Sequence, residues 1–131
     1  MKKTKGILII IGGDLSLPSE ANGPEAASNG LIPETEAEII TKFCQLVKGD
    51  TGRIEIIPTA SSVPEKSSRR YTEAFRNLGF ENVGVLDIRS REEAQSEAFV
   101  KRVREAEGFM FTGGDQLRLT TLLGGTELLK V

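Results

Sequence analysis

The stretch Phe111-Thr112-Gly113-Gly114-Asp115-Gln116 decides the fold. An apolar run, Phe109 to Thr112, leads into it, and Leu117, Leu119, Leu122 and Leu123 follow at helical spacing. A strand that turns through paired glycines into a helix is a βα unit. Its turn leaves bare backbone N–H groups at the carboxyl edge of a sheet, where α/β proteins bind ligands.

Three more apolar runs precede it: Ile7 to Ile11, Ile54 to Ile57 and Val83 to Ile88. Helical spacing between the runs predicts βαβ units and a parallel sheet. A first helix is expected from Pro33-Glu34-Thr35-Glu36, burying Ile39, Ile40, Phe43, Leu46 and Val47 and stopping at Gly49. A second is expected over Pro64 to Leu78, with Tyr71, Phe75 and Leu78 on one face and Gly79 as its stop. A third is expected over Arg91 to Ala106, burying Ala94, Ala98, Phe99 and Val103. Leu15 to Gly30 is rich in Ser, Pro, Asn and Gly, lacks periodicity, and reads as a long loop after the first strand.

Gly124-Gly125 ends the leucine helix, and Thr126 reads as the N-cap of a new turn containing Glu127. Only a few residues follow, whereas a parallel sheet normally continues through a crossover and another strand. The expected architecture is a single α/β domain over residues 1–131, three-layered and doubly wound around a mainly parallel sheet, and truncated within an element. The uncovered edge of such a sheet favours self-association into a homo-oligomer.

At 131 residues with 38% hydrophobic, the chain suffices for one domain with its own core. Seventeen basic against nineteen acidic residues, without a basic stripe interleaved with aromatics, argue against nucleic acid. The single Cys44 forms no internal disulfide, which fits a reducing, cytoplasmic setting, and its helical spacing from Ile40 and Val47 makes it a small core residue. Lys2, Lys3 and Lys5 before Ile7–Ile11 imitate a signal peptide's charged start, but the apolar run is too short for one, and no segment reaches transmembrane length.

Three strand ends are expected to share one sheet edge: Gly12-Gly13-Asp14, Pro58-Thr59-Ala60-Ser61-Ser62 and Gly113-Gly114-Asp115-Gln116. One glycine pair alone reads as a tight turn. Two converging pairs point instead to backbone N–H groups presented to a ligand, as an oxyanion hole requires. Neither pair is a dinucleotide fingerprint and no Walker lysine is present, so nucleotide or other cofactor binding is not expected. The chain contains no histidine, so neither a Ser-His nor a Cys-His mechanism is complete within it. Ser61 and Ser62 read as turn or capping hydroxyls. Asp14, Glu34, Asp87 and Asp115 lack accompanying His or Cys, so no metal is expected. Arg89, Arg91 and Arg118 lie near strand ends, where they either clamp a carboxylate or are merely solvated.

Taken in order, Gly6-Ile7-Leu8-Ile9-Ile10-Ile11-Gly12-Gly13, Ile56-Ile57-Pro58-Thr59-Ala60-Ser61, Tyr71 with Phe75 and Leu78-Gly79, and Phe111 to Thr120 with Leu123-Gly124-Gly125-Thr126 resemble the cyanophycinases. That family stands with dipeptidase E among serine peptidases of a flavodoxin-like, class-I glutamine-amidotransferase-like fold. The resemblance implies the N-terminal part of a larger hydrolase domain. It implies as substrate cyanophycin, a polyaspartate carrying arginine on its side chains, cleaved to β-Asp-Arg dipeptides. It further implies a nucleophilic serine on a strand-to-helix turn just beyond the helix that begins at Thr126, with histidine and an acid later still. What carries over to this chain is Gly113 and Gly114 as oxyanion-hole backbone, and Asp115 and Gln116 as pocket residues near the substrate. The chain by itself is therefore expected to be inactive. The rival reading is a non-catalytic binding or regulatory module that keeps the fold and the pocket; a flavodoxin-like phosphate or nucleotide binder is more remote.

Overall fold

The computed structural model describes residues 6, 7, 9, 34–47 and 52–131. The expected strand over Ile7–Ile11, the Gly12-Gly13-Asp14 turn and the loop over Leu15–Gly30 fall wholly or largely outside these residues. In chain order the elements are α1 (Glu34–Leu46), β1 (Ile54–Ile57), α2 (Pro64–Asn77), β2 (Val83–Val85), α3 (Glu97–Glu105), β3 (Gly108–Phe111) and α4 (Gln116–Leu123).

All three described strands are parallel, in the order β2-β1-β3. The central strand, Ile-Glu-Ile-Ile, is buried along its whole length because a parallel sheet is covered on both faces. Its alternation divides the core. Ile54 and Ile56 join Met110 of β3, Ile40 and Val47 from the first helix and its end, and Tyr71, Ala74 and Phe75 of α2. On the other side, Ile57 joins Leu86, Ile88, Ala94, Leu123 and Leu128, with Phe99, Val103, Phe109 and Leu119 packed against them. Helices α1 and α2 therefore cover one face and α3 and α4 the other, which is the three-layer, doubly wound α/β arrangement expected. Phe75 is fully buried between Phe43 (ring centroids 5.6 Å) and Phe80 (6.5 Å). Truncating such a ring to alanine costs about 3–5 kcal/mol.

The end of α2 shows why Gly79 stops it. Gly79 takes φ +94°, its N–H bonds to the Arg76 carbonyl at 2.9 Å, and the Phe80 N–H reaches back to the Phe75 carbonyl at 3.0 Å. This is a Schellman closure, and the Phe75–Phe80 contact is the apolar pairing that accompanies it. Leu78, expected on the buried face, is instead 36% exposed because it lies beyond the last helical turn; Leu46 at the end of α1 is likewise exposed.

The continuous helix expected over Arg91–Ala106 is broken. Ser90 and Glu93 cap one another reciprocally: the Glu93 N–H donates to Ser90 Oγ at 3.2 Å and the Ser90 N–H to Glu93 Oε2 at 3.2 Å. A 3-10 helix over Glu93–Gln95 follows. Ser96 then leaves the helical region (φ −66°, ψ 136°) and caps α3 by accepting the Phe99 N–H. The break rotates the helical face, so Ala98 is exposed and Val100 is buried in its place.

Expected Val83–Ile88 is strand only to Val85, although the Leu86 N–H continues the pairing to the Ile56 carbonyl at 2.8 Å. Near the amino end of the sheet, Glu55 is completely buried. Arg102 grips its carboxylate through Nη2 at 2.7 Å and Nε at 3.1 Å, and Arg53 Nε adds a third bond at 2.7 Å. Gly84 makes room for this cluster, because a β-carbon there would strike the Glu55 carboxylate and lie 2.9 Å from Arg102 Nη2.

Candidate functional site

The connections reverse direction between β1 and β3. From β1 the chain leaves through α2 on one face, whereas from β3 it leaves through α4 on the opposite face. The carboxyl ends of these adjacent strands are therefore the switch point at which doubly wound proteins bind ligands. The Pro58–Ser61 turn and the Thr112–Asp115 turn meet there.

The two turns are joined closely. Pairing of β1 with β3 runs on through the Thr112 N–H to the Ile57 carbonyl at 3.2 Å. The Ser61 N–H closes its own turn on the Pro58 carbonyl at 2.9 Å, and the Asp115 N–H donates to the Ala60 carbonyl at 2.9 Å. Arg118 Nη1 donates to the Ser61 carbonyl at 2.9 Å. Gly114 has φ +150°, and a β-carbon on it would collide with the Ala60 carbonyl group and come within 2.8 Å of the Ser61 nitrogen. Glycine is therefore required at 114 both by conformation and by space. A β-carbon at Gly113 would meet nothing within 4 Å.

Between these anchored residues lie two amides with no such engagement. The N–H groups of Gly113 and Gly114 have no hydrogen-bond partner among the described residues, and both glycines are exposed. Successive backbone N–H groups in a turn are the type of arrangement from which anion-binding concavities are built. Asp115, the next residue, is the N-cap of α4, with Oδ1 accepting the Leu117 N–H at 2.8 Å. Gln116 opens the helix and is exposed. The structure thus brings Gly113, Gly114, Asp115 and Gln116 together with the Pro58–Ser61 turn, while the other expected glycine pair lies outside the described residues.

Sequence reasoning missed two hydroxyls at this edge. Thr59 and Thr112 are buried, and their Oγ1 atoms lack a partner among the described residues. A buried polar atom left unpaired costs about 1–3 kcal/mol, so each retains hydrogen-bonding capacity beside the strand ends. The signal for them in the sequence is a threonine within two residues of each strand end.

The remaining candidates have structural tasks. Ser61 Oγ accepts the Val63 N–H at 3.1 Å and lies 2.8 Å from Ser67 Oγ, so it is a turn hydroxyl, and Ser62 is exposed. Arg91 Nη1 binds the Thr121 and Gly124 carbonyls at 2.7 and 3.0 Å, tying down the end of α4. Arg89 pairs with Asp87 at 2.6 Å. Burial pushes the Cys44 thiol up to about 11, which keeps it protonated and unreactive. Among the described residues, no three His, Cys, Asp or Glu side chains gather as metal ligands, and no helix is long and apolar enough to cross a membrane.

The fold is that of a doubly wound α/β protein with an exposed glycine turn at its switch point. The chain belongs to peptidase family S51, whose family model matches residues 26–131. It is 39% identical over 92 residues to a cyanophycinase of Synechococcus elongatus, covering 70% of this chain and 29% of that protein. Cyanophycinases of Nostoc sp. and Geminocystis herdmanii are each 36% identical, over 94 and 93 residues, covering 72% and 71% of this chain and 32% and 34% of theirs. The chain thus spans about a third of the length of these curated relatives.

Proposed function

We propose that this stretch is the N-terminal portion of a cyanophycinase-like serine peptidase, and that it supplies the oxyanion-binding wall of the active site. The observation that carries the reading is the pair of amides at Gly113 and Gly114, unpartnered among the described residues and held at the β1/β3 switch point of a chain that belongs to a peptidase family. When a nucleophile adds to a peptide carbonyl, the carbonyl oxygen becomes an oxyanion. Preorganised N–H donors stabilise that charge as it develops, without reorganising during the reaction.

In this reading the substrate is cyanophycin, and the products are β-Asp-Arg dipeptides. Asp115 and Gln116 contact the substrate beside the glycine pair. The serine, and the histidine that takes its proton and passes it to the leaving amine, come from sequence other than these 131 residues, which contain no histidine. In this reading the setting is cytoplasmic and the protein self-associates.

A chimaera tests this. Residues 26–131 of this chain would replace their counterpart in the Synechococcus elongatus cyanophycinase, and β-Asp-Arg release from cyanophycin would be measured. Turnover within about an order of magnitude of the parent supports the assignment. A chimaera that is well folded yet releases no dipeptide, beside an active parent, contradicts it.

A further inference from the structure

We infer that Arg118 is a positioning residue for the Gly113–Gly114 turn, acting through the Ser61 carbonyl; this rests on the reading of that glycine pair as the oxyanion donors. Arg118 stands in the first turn of α4, where the helix dipole disfavours a cation. Its charge-assisted bond to the Ser61 carbonyl gives that unfavourable placement a compensation, and it reaches 57 residues back along the chain.

The bond falls where it has most leverage. Ala60 and Ser61 are consecutive, and each has its carbonyl held by a donor that follows β3: Ala60 by the Asp115 N–H and Ser61 by Arg118. Gly114 rests on the Ala60 carbonyl group between those two bonds. The Ser61 side chain in turn binds the Val63 N–H and Ser67, which ties the same turn to the start of α2. Three elements therefore meet at Ser61, and Arg118 is the side chain that links α4 to the joint.

Gly113 has no packing of its own that would fix it, since a β-carbon there meets nothing. The direction of its N–H, and of the neighbouring one, depends on how firmly the Ala60–Ser61 turn is seated. Loss of Arg118 would leave the core untouched and let the two amides wander. A misplacement of about 1 Å in a catalytic group costs as much as a hundredfold in rate.

The test uses the 131-residue chain first. Amide nitrogen–proton spectra of Arg118→Ala and Arg118→Lys are compared with those of the unaltered chain, together with thermal unfolding. The expected result is that Arg118→Ala displaces the Gly113, Gly114 and Ser61 signals while β1 signals and the unfolding midpoint barely change, and that Arg118→Lys restores the signals in part, because one donor suffices for the bond. Unmoved glycine signals in Arg118→Ala overturn the positioning role. A lowered midpoint with signals displaced throughout β1 overturns it too, by showing a merely structural residue. In the chimaera, Arg118→Ala should lower kcat about tenfold to a hundredfold at nearly constant KM. The two readings separate there. Near-normal turnover in Gly114→Val sinks the oxyanion assignment whatever Arg118 does, whereas loss of turnover in Gly114→Val with full kcat in Arg118→Ala sinks only the positioning role.

Discussion

Gly114 and Ala60, 54 positions apart, are packed so that the α-carbon of one lies against the carbonyl group of the other, with no space for a side chain between them. This contact joins the ends of two parallel strands that send their following helices to opposite faces of the sheet. It also separates the two glycines of the motif by role. Replacing Gly114 with alanine forces a backbone shift at a positive φ and should destabilise the chain by about 1–3 kcal/mol. Gly113→Ala, with open space around it, should stay within about 0.5 kcal/mol. Chemical denaturation of both variants measures the contrast; equal effects would show that the packing at Gly114 is not what holds the turn.

The buried Glu55 predicts a second, independent weakness. Removing Arg102 strands a carboxylate in the sheet with Arg53 as its remaining partner, and breaking a buried ion pair in this way costs about 3–5 kcal/mol. Arg102→Ala should lower the denaturation midpoint accordingly, and Arg102→Ala combined with Glu55→Gln should recover part of the loss. A double variant no more stable than the single one would indicate that the stranded charge is not the cause.

Cys44 gives a pH dependence whose sign is fixed. Its thiol titrates near 9.0 when unfolded and is pushed up to about 11 by burial in the fold. Between these values the unfolded chain has released the proton and the folded chain still holds it, so the contribution to stability is complete below pH 9 and declines as pH rises to 11. Alkylation by iodoacetamide in the native state at pH 8 should be slow, and should become fast once the chain is denatured. Rapid labelling of the folded chain at that pH would contradict the burial.

The chain as it stands should show no peptidase turnover, because no histidine is available to activate a serine. Purified chain incubated with cyanophycin should release no β-Asp-Arg dipeptide. Release that survives removal of contaminating hydrolases would refute this.

Much of the described fold was legible because each helix buries one face and each strand is apolar: α1, β1, α2, β3 and α4 lie within a few residues of where periodicity and glycine stops placed them. The errors have local causes. Helical spacing runs unbroken across Arg91–Ala106, yet Ser90 and Ser96 each supply a cap, so one pattern became two short helices. Glu55 was hidden inside an apolar run, since its partner Arg102 is 47 residues away and charge pairing over that distance leaves no periodic trace. At the site, the glycine pair was legible from its place between a strand and a helix. The hydroxyls of Thr59 and Thr112, unpaired among the described residues, and the link from Arg118 to Ser61 depend on how the β1 and β3 ends meet, and neither segment encodes that alone.

The most direct measurement of the central claim is the turnover of Gly114→Val within the chimaeric cyanophycinase, alongside substrate binding and thermal unfolding. If the Gly113 and Gly114 amides hold the oxyanion, a variant that remains folded and still binds cyanophycin should lose about a hundredfold or more in kcat, the effect of removing one such donor. Near-normal kcat in a folded, substrate-binding variant would show that the glycine pair is a turn and nothing more.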